Sequence, residues 1–152
     1  MAAKIERWSE PEACCDPEWE AAYARVETPS QEAEKFLKRL TRLGADGWQR
    51  ELQVVDIFCG RGGGLKAWET LGFRRLEGVD LSENLLRQYS GDAHLFVGDC
   101  RRMAFPDDSR DVWNFQRSFL LWSHGDSGLR RCHAGIGVWD DWNCSRMFDR
   151  SI

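Results

Sequence analysis

The stretch Asp56-Ile57-Phe58-Cys59-Gly60-Arg61-Gly62-Gly63-Gly64 limits what this chain can fold into more than any other. It closes an apolar run, Leu52 to Phe58, and opens a helix outlined by Leu65, Ala67, Trp68 and Leu71 and ended by Gly72. A glycine-rich turn between strand and helix lets a ligand approach the backbone, and the helix N-terminus offers it unpaired amides. The spacing fits a dinucleotide fingerprint poorly, because Leu65 stands where a third glycine is needed. It also excludes a Walker loop, which needs Gly-Lys-Ser/Thr where this chain has Leu65-Lys66-Ala67.

The same rhythm continues downstream. Leu76 to Leu81 reads as a second strand, Ser82 caps a helix with Leu85, Leu86 and Tyr89 facing inward, Ser90-Gly91-Asp92 breaks it, and His94 to Val97 is a third strand. Short apolar runs alternating with helices predict an α/β fold, a Rossmann-like, doubly wound, mostly parallel sheet. In such a sheet the carboxyl ends of the strands line one crevice, so Asp56, Asp80 and Asp99 are expected to converge there. Asp80, 20 residues beyond Gly60, suits the two hydroxyls of a ribose. Asp99 suits an adenine amino group, with apolar neighbours such as Met103 over the ring face.

Residues 1–50 read as a helical extension. Asp16-Pro17 starts a short amphipathic helix bearing Trp19, Ala22, Tyr23 and Val26. Thr28-Pro29-Ser30-Gln31 is a capping box for a second helix, with Phe36, Leu37, Leu40 and Leu43 as its apolar stripe and Gly44 at its end. Its basic face, Lys35, Lys38, Arg39 and Arg42, reads as solvated. The net charge of −4 gives no field to attract phosphate backbones, which argues against a nucleic-acid substrate. No apolar run approaches the roughly 20 residues of a membrane span, and the N-terminus has no secretion signal, so a cytoplasmic address is expected. No pair among the six cysteines has zinc-knuckle spacing, and they read as free thiols, with no metal.

Three motifs then carry a resemblance. Val55 to Gly63, Gly78-Val79-Asp80-Leu81-Ser82, and Gly98-Asp99-Cys100 running on to Asp107 resemble, in order and spacing, motifs one to three of the class I S-adenosylmethionine (SAM)-dependent methyltransferases, over about residues 50–113. The resemblance implies SAM as cofactor and a small molecule or a protein as methyl acceptor. It puts Gly60 and Gly62 under the methionine part, Asp56 at its amino end, Asp80 on the ribose, Leu81 beside the adenine, Asp99 on the adenine amino group and the Cys100 amide near the ring. Phe58, counted among the cofactor-binding residues, stands where many members have glycine, and Arg110 where an aromatic residue is usual.

After Trp113 the motifs stop. Residues 112–152 contain no Lys and no Glu, combine Trp122, Trp139 and Trp142 with Cys132 and Cys144, and lack periodicity. The expected organisation is a helical extension (1–50), a SAM-binding half-domain (51–113) and a divergent or truncated segment (114–152), leaving the sheet incomplete after its fourth strand. A changed reading frame near Asp111 fits this shift, and translating the other two frames tests it. His124 and His133 read as incidental, and no catalytic residue is assigned. A chain so built is a methyltransferase or, alternatively, a non-catalytic SAM-binding fragment acting as an interaction module.

Overall fold

The computed structural model describes residues 3–8, 17–99, 104–106 and 109–115. In chain order these form β1 (Ile5–Arg7), α1 (Pro17–Val26), α2 (Pro29–Arg42), a 3-10 turn (Ala45–Gly47), β2 (Val54–Ile57), α3 (Gly63–Thr70), β3 (Leu76–Asp80), α4 (Glu83–Leu86), β4 (His94–Val97) and β5 (Val112–Phe115). The strands pair in the order β1-β4-β3-β2-β5, every neighbour parallel. The expected Rossmann-like α/β sheet is therefore present. The chain runs outward from β2 through β3 to β4, then returns to the other side of β2 as β5, so the topological switch lies between β2 and β5.

Alternation along the strands separates two cores. Val54, Leu76, Leu95, Val97 and Val112 face the helices, where they join Phe36 and Leu40 of α2 and Leu65, Ala67 and Trp68 of α3. Trp68 is fully buried, with Phe73 edge-on at 4.8 Å and Trp48 at 6.0 Å between ring centroids. Val55, Ile57, Val79 and Phe96 point the other way, toward Trp8, Phe105 and Trp113. On that face Arg110 binds the Glu77 carboxylate through Nε and Nη2 and lies 4.3 Å from the Phe105 ring. An aromatic cluster completed by a guanidinium thus stands where a further aromatic ring was expected.

The helix ends follow the sequence signals. The Thr28 amide donates to Gln31 Oε1 at 2.9 Å while the Gln31 amide donates to Thr28 Oγ1 at 3.3 Å. Ser82 Oγ accepts from the Leu85 amide, and Gly44 adopts φ +77° after α2. Replacing Thr28 by alanine should cost about 0.5–2 kcal/mol, read from the midpoint of urea unfolding.

The N-terminal region departs from the expectation of helix throughout. Ile5–Arg7 pairs with Leu95–Val97 at the sheet edge, and Trp8 anchors it by packing on Phe96 at 5.1 Å and edge-on to Phe105 at 5.0 Å. A main-chain ladder and one large ring hold this strand, and neither leaves an apolar period in the sequence. Of the expected divergent segment from residue 114 on, Asn114 and Phe115 belong to β5, and the remainder, with both its histidines, lies outside the described residues. No helix among the described residues is long and apolar enough to cross a membrane.

Candidate functional site

The glycine-rich turn joins β2 to α3 at the carboxyl ends of the central strands, and it is pinned from below. The Cys59 amide donates to the Val79 carbonyl at 3.1 Å, and the Gly62 amide closes the turn onto the Cys59 carbonyl at 2.8 Å. Gly62 has φ +80°, and a Cβ there would lie 2.3 Å from the Tyr89 ring, so only glycine lets the turn pack this closely. Phe58 is a non-glycine residue at φ 60° and remains 39% exposed at the end of β2. An aromatic side chain in the left-handed region costs roughly 1–2 kcal/mol, and such strain gathers at functional sites.

Asp80 ends β3 beside this turn. Its Oδ2 accepts from the Gly60 amide at 2.9 Å and its Oδ1 from the Ser82 amide at 2.8 Å. These amides fix the plane of the carboxylate. Burial raises the Asp80 carboxyl above its ordinary value, against the opposing pull of the Ser82, Gly60 and Leu81 backbone donors. Leu81 follows, half-buried.

Asp56 is not at a strand tip but inside β2, on the helix-facing side and wholly buried. Its Oδ1 accepts from Asn114 Nδ2 at 2.7 Å, across the switch between β2 and β5, and its Oδ2 has no hydrogen-bond partner. Burial raises its carboxyl well above the usual value of 3.8, with a smaller push from Glu32 and Asp80. The folded chain therefore holds this proton more tightly than the unfolded chain. The Asp56 contribution to stability is greatest below about pH 4 and is lost as pH rises from there through the raised folded value. In urea melts at pH 5 and pH 7, Asp56→Asn should narrow the gap between the two relative to wild type, whereas an unchanged gap would contradict this reading.

The structure thus brings Gly60, Gly62, Asp56 and Asp80 together at one turn. Asp99 lies half-buried two residues past the end of β4, the strand that pairs with β3. Cys100 and Met103 lie outside the described residues.

Residues of α1 and α2 that the motifs did not single out roof this site. The Tyr23 hydroxyl binds the Glu32 carboxylate and lies 3.1 Å from where Gly60 would carry a Cβ. Glu20 accepts from the Ser82 hydroxyl and from Asn84 Nδ2. Arg61 donates to the Glu27 carbonyl at 2.7 Å and places its guanidinium 4.9 Å from the Tyr23 ring. Asn114 was missed because the recognisable motifs stop one residue before it. Glu32 was missed because a glutamate in the first turn of a helix reads as dipole complement. Its signal, available only in three dimensions, is that it is 1% exposed.

A family model described as a methyltransferase domain matches residues 55–134, reaching past Trp113, where the motifs end. No curated protein matches the chain. Among solved structures, the chain is similar to the PH0226 protein from Pyrococcus horikoshii OT3, at 28% identity and a TM-score of 0.50, covering 60% of this chain and 46% of that one. It is also similar to SAM-bound CalS10, an amino pentose methyltransferase from Micromonospora echinaspora, at 24% identity, a TM-score of 0.44 and coverage of 68% and 43%. A third is the plantazolicin methyltransferase BpumL in complex with SAH, at 21% identity, a TM-score of 0.49 and coverage of 66% and 42%. The chain spans less than half the length of each of these structures.

Proposed function

The chain belongs to the class I methyltransferase family, through the methyltransferase domain matched over residues 55–134, and on that premise we propose that it binds SAM and passes the methyl group to a small-molecule or protein acceptor. The observation that carries this reading is the Asp80 carboxylate, oriented by the Gly60 and Ser82 amides at the end of β3 beside the glycine turn. A vicinal diol offers two donors at matching separation, and the ribose of SAM is such a diol. Asp80 takes those hydroxyls, and Leu81 lies beside the adenine.

The other residues fit the cofactor as well. Gly60 and Gly62 give the methionine part a floor without side chains, and the first amides of α3 face it. The unpartnered Asp56 Oδ2 accepts from its ammonium. Phe58 keeps its exposed ring at the end of β2 as an apolar wall. Asp99 accepts from the adenine amino group, and Cys100 and Met103 are assigned to the adenine on the motif alone. Bound SAM supplies a methyl group on a sulfonium, and its transfer leaves S-adenosylhomocysteine. The protein's part is to hold donor and acceptor in line and to keep water out, which requires no general base. The acidic balance of the chain favours an acceptor other than nucleic acid.

Titration calorimetry with SAM and with NAD tests the proposal. Binding of SAM without NAD is expected, and the reverse would overturn the cofactor assignment. Transfer of a labelled methyl group across a panel of small molecules and proteins then identifies the acceptor.

A further inference from the structure

Three buried side-chain atoms without a hydrogen-bond partner gather around the start of α3: Asp56 Oδ2, Glu32 Oε2 and Arg61 Nε. A Cβ on Gly64 would meet Asp56 Oδ2 at 2.3 Å, and one on Gly63 would meet Glu32 Cγ at 2.4 Å. The two carboxylates therefore lie against consecutive residues of the same helix start. Glu32 and Arg61 approach to 3.5 Å, an ion-pair distance too long for a good hydrogen bond, and their side chains are 1% and 4% exposed. Asp56 and Glu32 also repel each other, which adds to the rise that burial imposes on the Asp56 carboxyl. An acid pair left short of donors beside a guanidinium with a spare N–H is unfavourable for a brace, since each buried polar group without a partner keeps its desolvation cost.

The missing partners have a definite chemistry: a cation with several donors for the acids, and an anion for the guanidinium. Resting on the SAM reading above, we propose that Glu32 and Arg61 form the subsite for the amino-acid head of the cofactor, Glu32 sharing the ammonium with Asp56 and Arg61 holding the carboxylate through Nε. The first amides of α3 assist the carboxylate. On the α1 side of this pair, the Tyr23 ring over Arg61 is only half-buried. The subsite selects for the amino-acid end of the ligand, whereas Asp80 selects for its sugar.

S-adenosylhomocysteine and 5′-methylthioadenosine separate the two ends, because they share adenosine and thioether and only the first has the ammonium and carboxylate. Both are titrated into the full chain by calorimetry, as wild type, Glu32→Gln and Arg61→Met, with a thermal melt of each. The expected result is S-adenosylhomocysteine affinity reduced by about tenfold or more in each variant, with methylthioadenosine within about twofold of wild type. Equal losses for both ligands would mean that the pair only braces the turn, and unchanged S-adenosylhomocysteine affinity would leave it no role in binding; either overturns the inference. Should a variant fail to fold, wild type is titrated with S-adenosylhomocysteine lacking its α-amino group. A loss of about tenfold or more supports the clamp, and equal affinity overturns it. Wild type binding neither adenosyl ligand overturns the SAM reading, whereas binding both equally overturns only the clamp.

Discussion

An Asp80→Ala chain is expected to bind SAM about 1–3 kcal/mol more weakly, roughly 5- to 150-fold in Kd. The substitution removes both acceptors proposed for the ribose hydroxyls and leaves the Gly60 and Ser82 amides without their carboxylate. The turn then loses the bonds that orient it as well as the bonds to ligand. Asp80→Asn is the companion variant, since its amide keeps one acceptor oxygen and should lose less. A thermal melt of each variant separates binding from folding, because removing a buried carboxylate also removes its desolvation cost. Calorimetric affinity for SAM unchanged in Asp80→Ala would refute the ribose role while leaving the fold untouched.

The largest effect on stability is expected at Trp68. Its ring is fully buried between Trp48 and Phe73 and joins α3 to the sheet, so Trp68→Ala should cost about 3–5 kcal/mol. Domains of this size are stable by only about 5–15 kcal/mol, so the urea midpoint should collapse or the chain should not fold. Arg74, exposed in the same αβ connection, is the contrast, and Arg74→Ala should stay within about 0.5 kcal/mol of wild type. Comparable losses for the two would show that α3 does not carry the core. The Trp68 variant should also lose SAM, since the glycine turn is the entrance to the helix it destabilises.

Much of this arrangement was legible in the residues because local chemistry and global fold agree. The glycine turn, the Thr28 and Ser82 caps and the acid closing β3 each follow from a short pattern whose physical cause lies within a few residues. Asp56 illustrates the limit. Its proximity to the turn was expected, but not its place under α3, because strand alternation fixes the facing side only when the register is known. β1 left no trace in the sequence, since three residues pairing by main chain against β4 have no period to read. Asn114, Glu32 and Tyr23 become visible only when β5 and the N-terminal helices are laid against β2. Their significance lies in burial and missing partners, which a one-dimensional pattern does not encode.

The manner in which α1 is attached has a consequence for motion. Its described side chains contribute nothing to the two apolar cores, and Glu20 and Tyr23, with Glu27 just after the helix, tie it over the turn through polar contacts. Polar tethers give up little when water replaces them, so this helix should be the cheapest part of the fold to open. Amide hydrogen exchange should be fast across α1 and slow across α2 in the free protein. Slowing of α1 exchange on adding S-adenosylhomocysteine would show the roof settling when the ligand is in place.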